Sequence, residues 1–226
     1  KFLKRSGALK IILISHLGQP TPNTKNKNEK KEFSLKLVAH YLSKVIREKI
    51  YFISDKIDSS LRKKIDKLPQ GSLILLENIR FYGGEENNSL KFAQSLAQLG
   101  DIYINEAFAV SHRKNSSLCA ITELFPSYAG LLLTEEIQQL SSFLNFSQKP
   151  IVTILGGAKI KDKLPLIKNF SKRVDYILVG GGLANTLLKS LGVPIGQSLY
   201  EPEMLKEARR LKFTNCKLIL PVDFCV

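Results

Sequence analysis

Apolar residues along the chain recur with two alternating periods, and the alternation predicts strand–helix units. Short runs rich in branched aliphatic side chains fall at residues 10–15, 50–54, 72–76, 101–105, 151–155, 176–179 and 217–220. Each has the length and composition of a strand in a parallel sheet. Between them, i, i+3, i+4 spacing predicts helices. Ser34 is placed to cap one whose inner face is Leu35, Val38, Leu42, Val45 and Ile46. A basic amphipathic helix over 59–68 ends at Pro69-Gln70-Gly71, and another over 89–99 closes at Gly100. Thr134, followed by Glu135 and Glu136, caps a further helix. Asp162 and Pro165 open one that carries Leu166, Ile167 and Phe170, and two more run to Leu191 and over 202–211. Residues 21–31 read as a polar surface loop with no chemistry.

Strands alternating with helices predict right-handed βαβ units and parallel sheets covered by helices. The polar break at 147–150 is the best domain boundary. Ligands of such sheets bind beyond the carboxyl ends of the strands, where polar residues fall repeatedly: His16, Asn78 with Arg80, Asn105 with Glu106, and the glycines at 156–157 and 180–182. So many in register point to a cleft to which each block supplies one face.

Composition sharpens this only in part. With 226 residues, 44% of them hydrophobic, the chain can bury one large core or two modest ones. The 34 Lys and Arg against 20 Asp and Glu give a net charge of +14, which favours anionic partners. The lysines are dispersed through polar loops, so much of the excess reads as a solvated face. The three cysteines, Cys119, Cys216 and Cys225, have no C-x-x-C spacing and are odd in number, which argues against a disulfide framework and for a reducing compartment. No run approaches the ~18 apolar residues of a membrane span. The chain starts at Lys1 without Met and stops just after a strand, and is expected to be a piece of something longer.

The segment with the densest candidate chemistry is IVTILGGAKIKDK, 151–163. A strand runs into Gly156-Gly157, then into a helix start flanked by Lys159 and Lys163. Helix-terminal N–H groups with two ammonium groups suit phosphate oxygens. It is not a Walker A loop, and an ordinary strand–glycine–helix turn with solvated lysines is the alternative. Arg80 and Arg113 offer planar forks for carboxylate or phosphate, the alternative being ion pairs with Glu77, Glu85 or Glu106. His16 ends a strand, where it serves a ligand or the scaffold; His40 reads as a surface residue. No His, Cys and carboxylate set has metal-ligand spacing.

Seven segments in order resemble the phosphoglycerate kinase family: SHLGQP (15–20), LLENIRFYGGEE (75–86), GDIYINEAFAVSHR (100–113), YAGLLLTEEI (128–137), ILGGAKIKDK (154–163), VGGGLANTLL (179–188) and LPVD (220–223). The resemblance implies an α/β protein of two parallel-sheet α/β/α, Rossmann-like lobes joined by an interlobe helix, both lobes incomplete here. It implies a phosphoglycerate-binding lobe at 1–133, the interlobe helix and linker at 134–148, and the first half of a nucleotide-binding lobe at 149–226. The implied reaction moves a phosphoryl group between 1,3-bisphosphoglycerate and Mg2+-ADP, giving 3-phosphoglycerate and ATP in the cytoplasm. His16, Leu17, Gly18, Gln19, Arg80 and Arg113 would contact phosphoglycerate. Gly156, Gly157, Ala158, Lys159, Lys163, Gly181 and Gly182 would line the nucleotide, with Lys159 and Arg113 on the transferring group.

The chain departs from the family where Gln19 replaces Arg, Asn115 His, Ala109 Gly, Glu106 Asp and Lys161 Ser. The family's first strand would precede Lys1, and its ribose-binding Glu and Gly-Gly-Asp turn would follow Val226, so this chain alone is expected to be nearly inactive; no signal for homo-oligomers is present, and a monomer is expected. A non-catalytic anion-binding remnant and a nucleic-acid module are the alternatives. The second is disfavoured because Phe81, Phe108, Phe143 and Phe170 sit in apolar contexts instead of alternating with Lys and Arg.

Overall fold

The computed structural model describes residues 1–144, 149–213 and 215–224. Residues 145–148, which hold part of the expected boundary, and Cys225 lie outside the described residues. The chain divides into two compact units, Lys1–Ile137 and Gln138–Val226.

Unit 1 runs α1 (Phe2–Arg5), β1 (Lys10–Leu13), α2 (Lys27–Glu32), α3 (Lys36–Ile46), β2 (Ile50–Ile53), α4 (Ser59–Asp66), β3 (Ser72–Leu76), α5 (Gly83–Glu86), α6 (Leu90–Ala97), β4 (Tyr103–Asn105) and β5 (Ser127–Ala129). The chain then enters α7 (Leu131–Leu144). The first three strands form a parallel sheet in the order β1-β3-β2, with Lys10 opposite Ser72 and Ile50 opposite Leu73. Central β3 is buried on both faces, as its unbroken apolar run requires. Ile74 and Leu76 pack with Ile53, with Leu61 and Ile65 of α4, and with Ala93 and Leu96 of α6. Leu75 meets Leu35 and Ala39 on the other face.

The helix starts follow ordinary chemistry. Asp58 accepts from the Ser60 N–H at 2.9 Å, and Ser89 from that of Phe92. Such a cap contributes about 1 kcal/mol. At α3 the Ser34 hydroxyl accepts from the Lys36 N–H, but the Leu35 N–H and the Ser34 hydroxyl both donate to Glu77.

Up to the start of α7 the sequence expectation differs from the fold in four places. Val38 and Val45 are exposed and Ala39 is buried, because α3 turns the narrow Leu35–Ala39 edge to the sheet. Residues 27–32 are helical, capped by Asn26, within the expected loop; the helix is polar all round and so lacks a periodic signal. Strand β5, short and half exposed, pairs in parallel with β4 and was not expected. Finally, α7 begins at Leu131, and Thr134 lies inside its first turn with its hydroxyl donating back to Gly130 O at 2.8 Å. Glu106 satisfies the Leu133 N–H at 2.9 Å, and its carboxylate fills the space that a side chain at Gly130 would need.

Unit 2 contains β6 (Val152–Leu155), α8 (Leu164–Phe170), β7 (Tyr176–Val179), α9 (Gly181–Ser190), α10 (Leu205–Arg209) and β8 (Lys217–Ile219). The sheet is parallel in the order β6-β7-β8. Ile177 and Val179 pack on Leu164, Ile167, Leu183, Ala184 and Leu187. Val152, Ile154 and Ile219, on the opposite face, are exposed, Ile154 to 77%. That face carries no helix among the described residues, so the expected two-sided cover is one-sided here. No helix among the described residues is long and apolar enough to cross a membrane.

Candidate functional site

In unit 1 the ends of β1 and β3 are stitched together by Asn78, which is fully buried. Its amide donates to Leu17 O at 2.8 Å and Phe33 O at 2.9 Å, and its oxygen accepts from the Arg80 N–H at 3.1 Å. Arg80, only 5% exposed, is thereby aimed along the 16–19 loop, where Nη1 donates to Gly18 O at 2.5 Å. Gly18 has φ +58° and lies against the Phe33 ring, so no other residue fits comfortably. His16 is partly buried in the same place. Burial lowers its pKa from the ordinary value, and the charges of Arg80 and Arg113 lower it further. His16, Arg80 and Arg113 are therefore brought together, while Leu17 and Gln19 are exposed in the adjoining loop.

The chain just after Arg113 is held by a buried polar scaffold that the sequence did not suggest. Glu85, 1% exposed, accepts from Asn115 Nδ2 at 3.2 Å, from the Ser117 N–H at 3.0 Å and from the Ser117 hydroxyl at 2.6 Å. The Ser116 N–H donates to Glu85 O at 2.9 Å, and the Tyr103 hydroxyl to Ser117 O at 2.7 Å. Burial, with Glu85 and then Cys119 adding to it, pushes the Tyr103 phenol up to about 12, so it remains a donor. Asn115 thus belongs to the support of the loop. The Nε of Arg113 is buried with no hydrogen-bond partner, and leaving such a donor unpaired costs about 1–3 kcal/mol. This guanidinium is ready for an acceptor.

The alternative of ion pairing is not what the structure displays. Among the described residues the salt bridges are Lys4–Glu48, Arg62–Asp66, Lys64–Asp55 and Lys149–Asp175, and none uses a candidate site residue. Glu77, Glu85 and Glu106 spend their oxygens on backbone N–H and hydroxyl donors instead.

In unit 2 the turn after β6 packs against the start of α9. Gly157 has φ +145° and its carbonyl accepts from the Leu183 N–H at 2.9 Å. A Cβ on Gly182 would lie 2.7 Å from Ala158 O, so this glycine serves close packing of two βα turns. Gly181, at φ +64°, faces Gly157 in the same contact. The exposed segment Gly156, Gly157, Ala158 and Lys159 is thus presented on a fixed base. Lys163 stands at the N-cap of α8, one position before the first helical residue, and its Cε lies 3.6 Å from where a Cβ on Gly157 would be. Ile160, fully buried, anchors the segment to the core. Its N–H and that of Lys161 both donate to Glu201, the latter at 3.0 Å. No local sequence signal marks Glu201. No group of three or more His, Cys, Asp or Glu among the described residues is placed to hold a metal ion.

Two parallel-sheet α/β units, in which no candidate cation among the described residues is tied up in a salt bridge, define an α/β protein. The sequence profile of the phosphoglycerate kinase family matches residues 1–226, and the chain belongs to that family. The phosphoglycerate kinase of Bartonella henselae is 40% identical over 228 residues, covering 99% of this chain and 56% of that protein. That of a Wolbachia from Drosophila simulans is 39% identical over 98% of the chain and 55% of its own length. Among solved structures, phosphoglycerate kinase from Coxiella burnetii matches with TM-score 0.72 at 38% identity, over 94% of this chain and 53% of that one. The Pyrococcus horikoshii enzyme matches with TM-score 0.77 at 26% identity, over 92% and 53%. The chain spans about half the length of the relatives it matches.

Proposed function

We propose that the full-length protein carrying this chain is a phosphoglycerate kinase of the cytoplasm, working as a monomer without nucleic-acid or membrane partners. It transfers a phosphoryl group between 1,3-bisphosphoglycerate and ADP. The bond between phosphorus and the acyl oxygen breaks as one to a β-phosphate oxygen of ADP forms, and 3-phosphoglycerate leaves as a carboxylate. Residues 1–133 hold phosphoglycerate, 149–226 belong to the nucleotide unit, and 134–148 join them through the interlobe helix. His16, Arg80 and Arg113 grip the phosphoglycerate, with Leu17, Gly18 and Gln19 as the loop over it. Gly156, Gly157, Ala158, Gly181 and Gly182 floor the nucleotide site; Lys163 meets its phosphates, and Lys159, with Arg113, the group in transfer. The described residues offer no cage for Mg2+, so we assign that ion to the nucleotide phosphates, as its hard oxygen chemistry favours.

The observation that carries this reading is the unpaired Nε of Arg113 beside His16 and the pre-aimed Arg80, in a chain of this family. Phosphoryl transfer asks for positioning and charge neutralisation more than for covalent help, and fixed guanidinium groups supply both. The chain itself is expected to bind 3-phosphoglycerate while giving almost no turnover. Titration calorimetry of 3-phosphoglycerate into the chain should show one saturable site, weakened about a hundredfold in Arg113→Ala and in Arg80→Ala. Equal binding by wild type and both variants would remove the assignment.

A further inference from the structure

Resting on the assignment of Lys159 and Lys163 to nucleotide phosphates, we propose that Glu201 is a positioning residue for the phosphate-binding turn. It lies beyond α9, 41 residues from Ile160. One carboxylate oxygen, Oε2, receives the N–H groups of both Ile160 and Lys161. Its own N–H donates to Thr186 Oγ1 at 3.1 Å. That hydroxyl donates to Gly182 O at 2.9 Å, on the helix start that packs against Ala158. Thr186 is fully buried. Asn185 Nδ2 fixes the segment before Glu201 through Leu199 O at 3.0 Å. A closed circuit therefore runs from the turn to Glu201, to α9 and back to the turn.

Two consequences follow for phosphate recognition. The backbone of 160–161 is locked between exposed Lys159 and half-buried Lys163, so the arcs of the two side chains are set before a nucleotide arrives. The N–H groups of Ile160 and Lys161 are already satisfied by an internal anion. Those two donors are therefore not free for phosphate, and a neutral acceptor at 201 can keep the same backbone geometry.

The test uses the full-length protein and steady-state kinetics with each substrate varied. Glu201→Ala should raise KM for ADP about tenfold to a hundredfold, the range for losing hydrogen bonds to a charged acceptor. KM for the phosphoglycerate substrate should stay within about twofold, a limit set by ordinary variation. Glu201→Gln, which keeps a carbonyl acceptor, should recover most of the loss. Should Glu201→Ala not fold, Glu201→Asp carries the same test, because it withdraws the oxygen by one methylene and keeps the charge. An unchanged ADP KM in Glu201→Ala or Glu201→Asp overturns the proposal, as does an equal rise in both KM values. Lys159→Ala and Lys163→Ala are the controls: if neither changes kcat or the ADP KM, the nucleotide assignment itself fails, which is a different result from a silent Glu201.

Discussion

The two basic clusters are built on opposite plans. In unit 1 the cation is sunk into the fold: Arg80 is almost wholly buried, tied to Gly18 O, and aimed by an Asn78 that has no exposure at all. In unit 2 Lys159 stands on the surface and Lys163 is half-buried, and it is the backbone beneath them that is fixed, by glycine packing and by Glu201. A guanidinium can be buried because its five donors find carbonyls and it is weakly hydrated; an ammonium left in water keeps its hydration and freedom. The first plan fixes the direction of the charge itself; the second fixes only the base from which the charge reaches out.

The comparison breaks most sharply at Lys159. In the full-length protein Lys159→Ala should lower kcat by about a hundredfold to a thousandfold, as loss of a donor to the transferring oxygens does, while Lys163→Ala should chiefly raise the KM for nucleotide. Separate measurement of kcat and KM decides it. If Lys159→Ala changes only KM and Lys163→Ala only kcat, the two roles are exchanged.

A smaller effect is expected at the support of the unit 1 cluster. Glu85→Ala leaves Asn115 Nδ2 and the Ser117 donors without an acceptor in a buried site. It should destabilise unit 1 by about 2–4 kcal/mol, given ~1–3 kcal/mol for each buried donor left unpaired. Urea unfolding of the chain, followed by a probe in unit 1, measures this. Glu77→Ala, which acts on the half-exposed start of α3, should cost about 1 kcal/mol, the value of a helix cap. Equal losses in the two variants would contradict the scaffold role given to Glu85.

These carboxylates also mark the limit of what the residues alone disclose. Strands β1, β2, β3, β6 and β7 are legible because branched aliphatic runs between Gly, Pro and polar breaks leave little else to be. His16, Arg80, Arg113, Lys159 and Lys163 stand out because strand ends collect ligands. Strand β5 and helix α2 are invisible to periodicity, the one too short and the other without an apolar side. Glu85 reaches Ser117 across 32 residues, Glu106 reaches Leu133 across 27, and Glu201 reaches Ile160 across 41. In sequence Glu85 and Glu106 resemble partners for a nearby arginine and Glu201 carries no signal, and only the folded path shows a backbone N–H waiting for each.

The smallest effect expected is the dependence of unit 1 on pH through His16. Burial first, and then Arg80 and Arg113, hold its pKa below the ordinary value of 6.5 in the folded chain. The neutral ring is therefore the folded form near pH 7. As pH falls through the ordinary value, the unfolded chain takes up a proton that the folded chain refuses, so stability declines. The decline ends once the pH has passed the lowered folded value, and above the ordinary value His16 contributes no slope. Chemical unfolding at pH 8 and pH 5.5 should show a larger loss on acidification for wild type than for His16→Gln. Adding 3-phosphoglycerate sharpens the contrast with unit 2, because an anion over Arg80 and Arg113 cancels the charges that repel the proton. The gap between wild type and His16→Gln should then narrow in the presence of ligand. A gap of unchanged size would mean that the bound anion does not meet the two arginines, and a gap absent from the start would mean that neither burial nor the arginines hold the His16 pKa down.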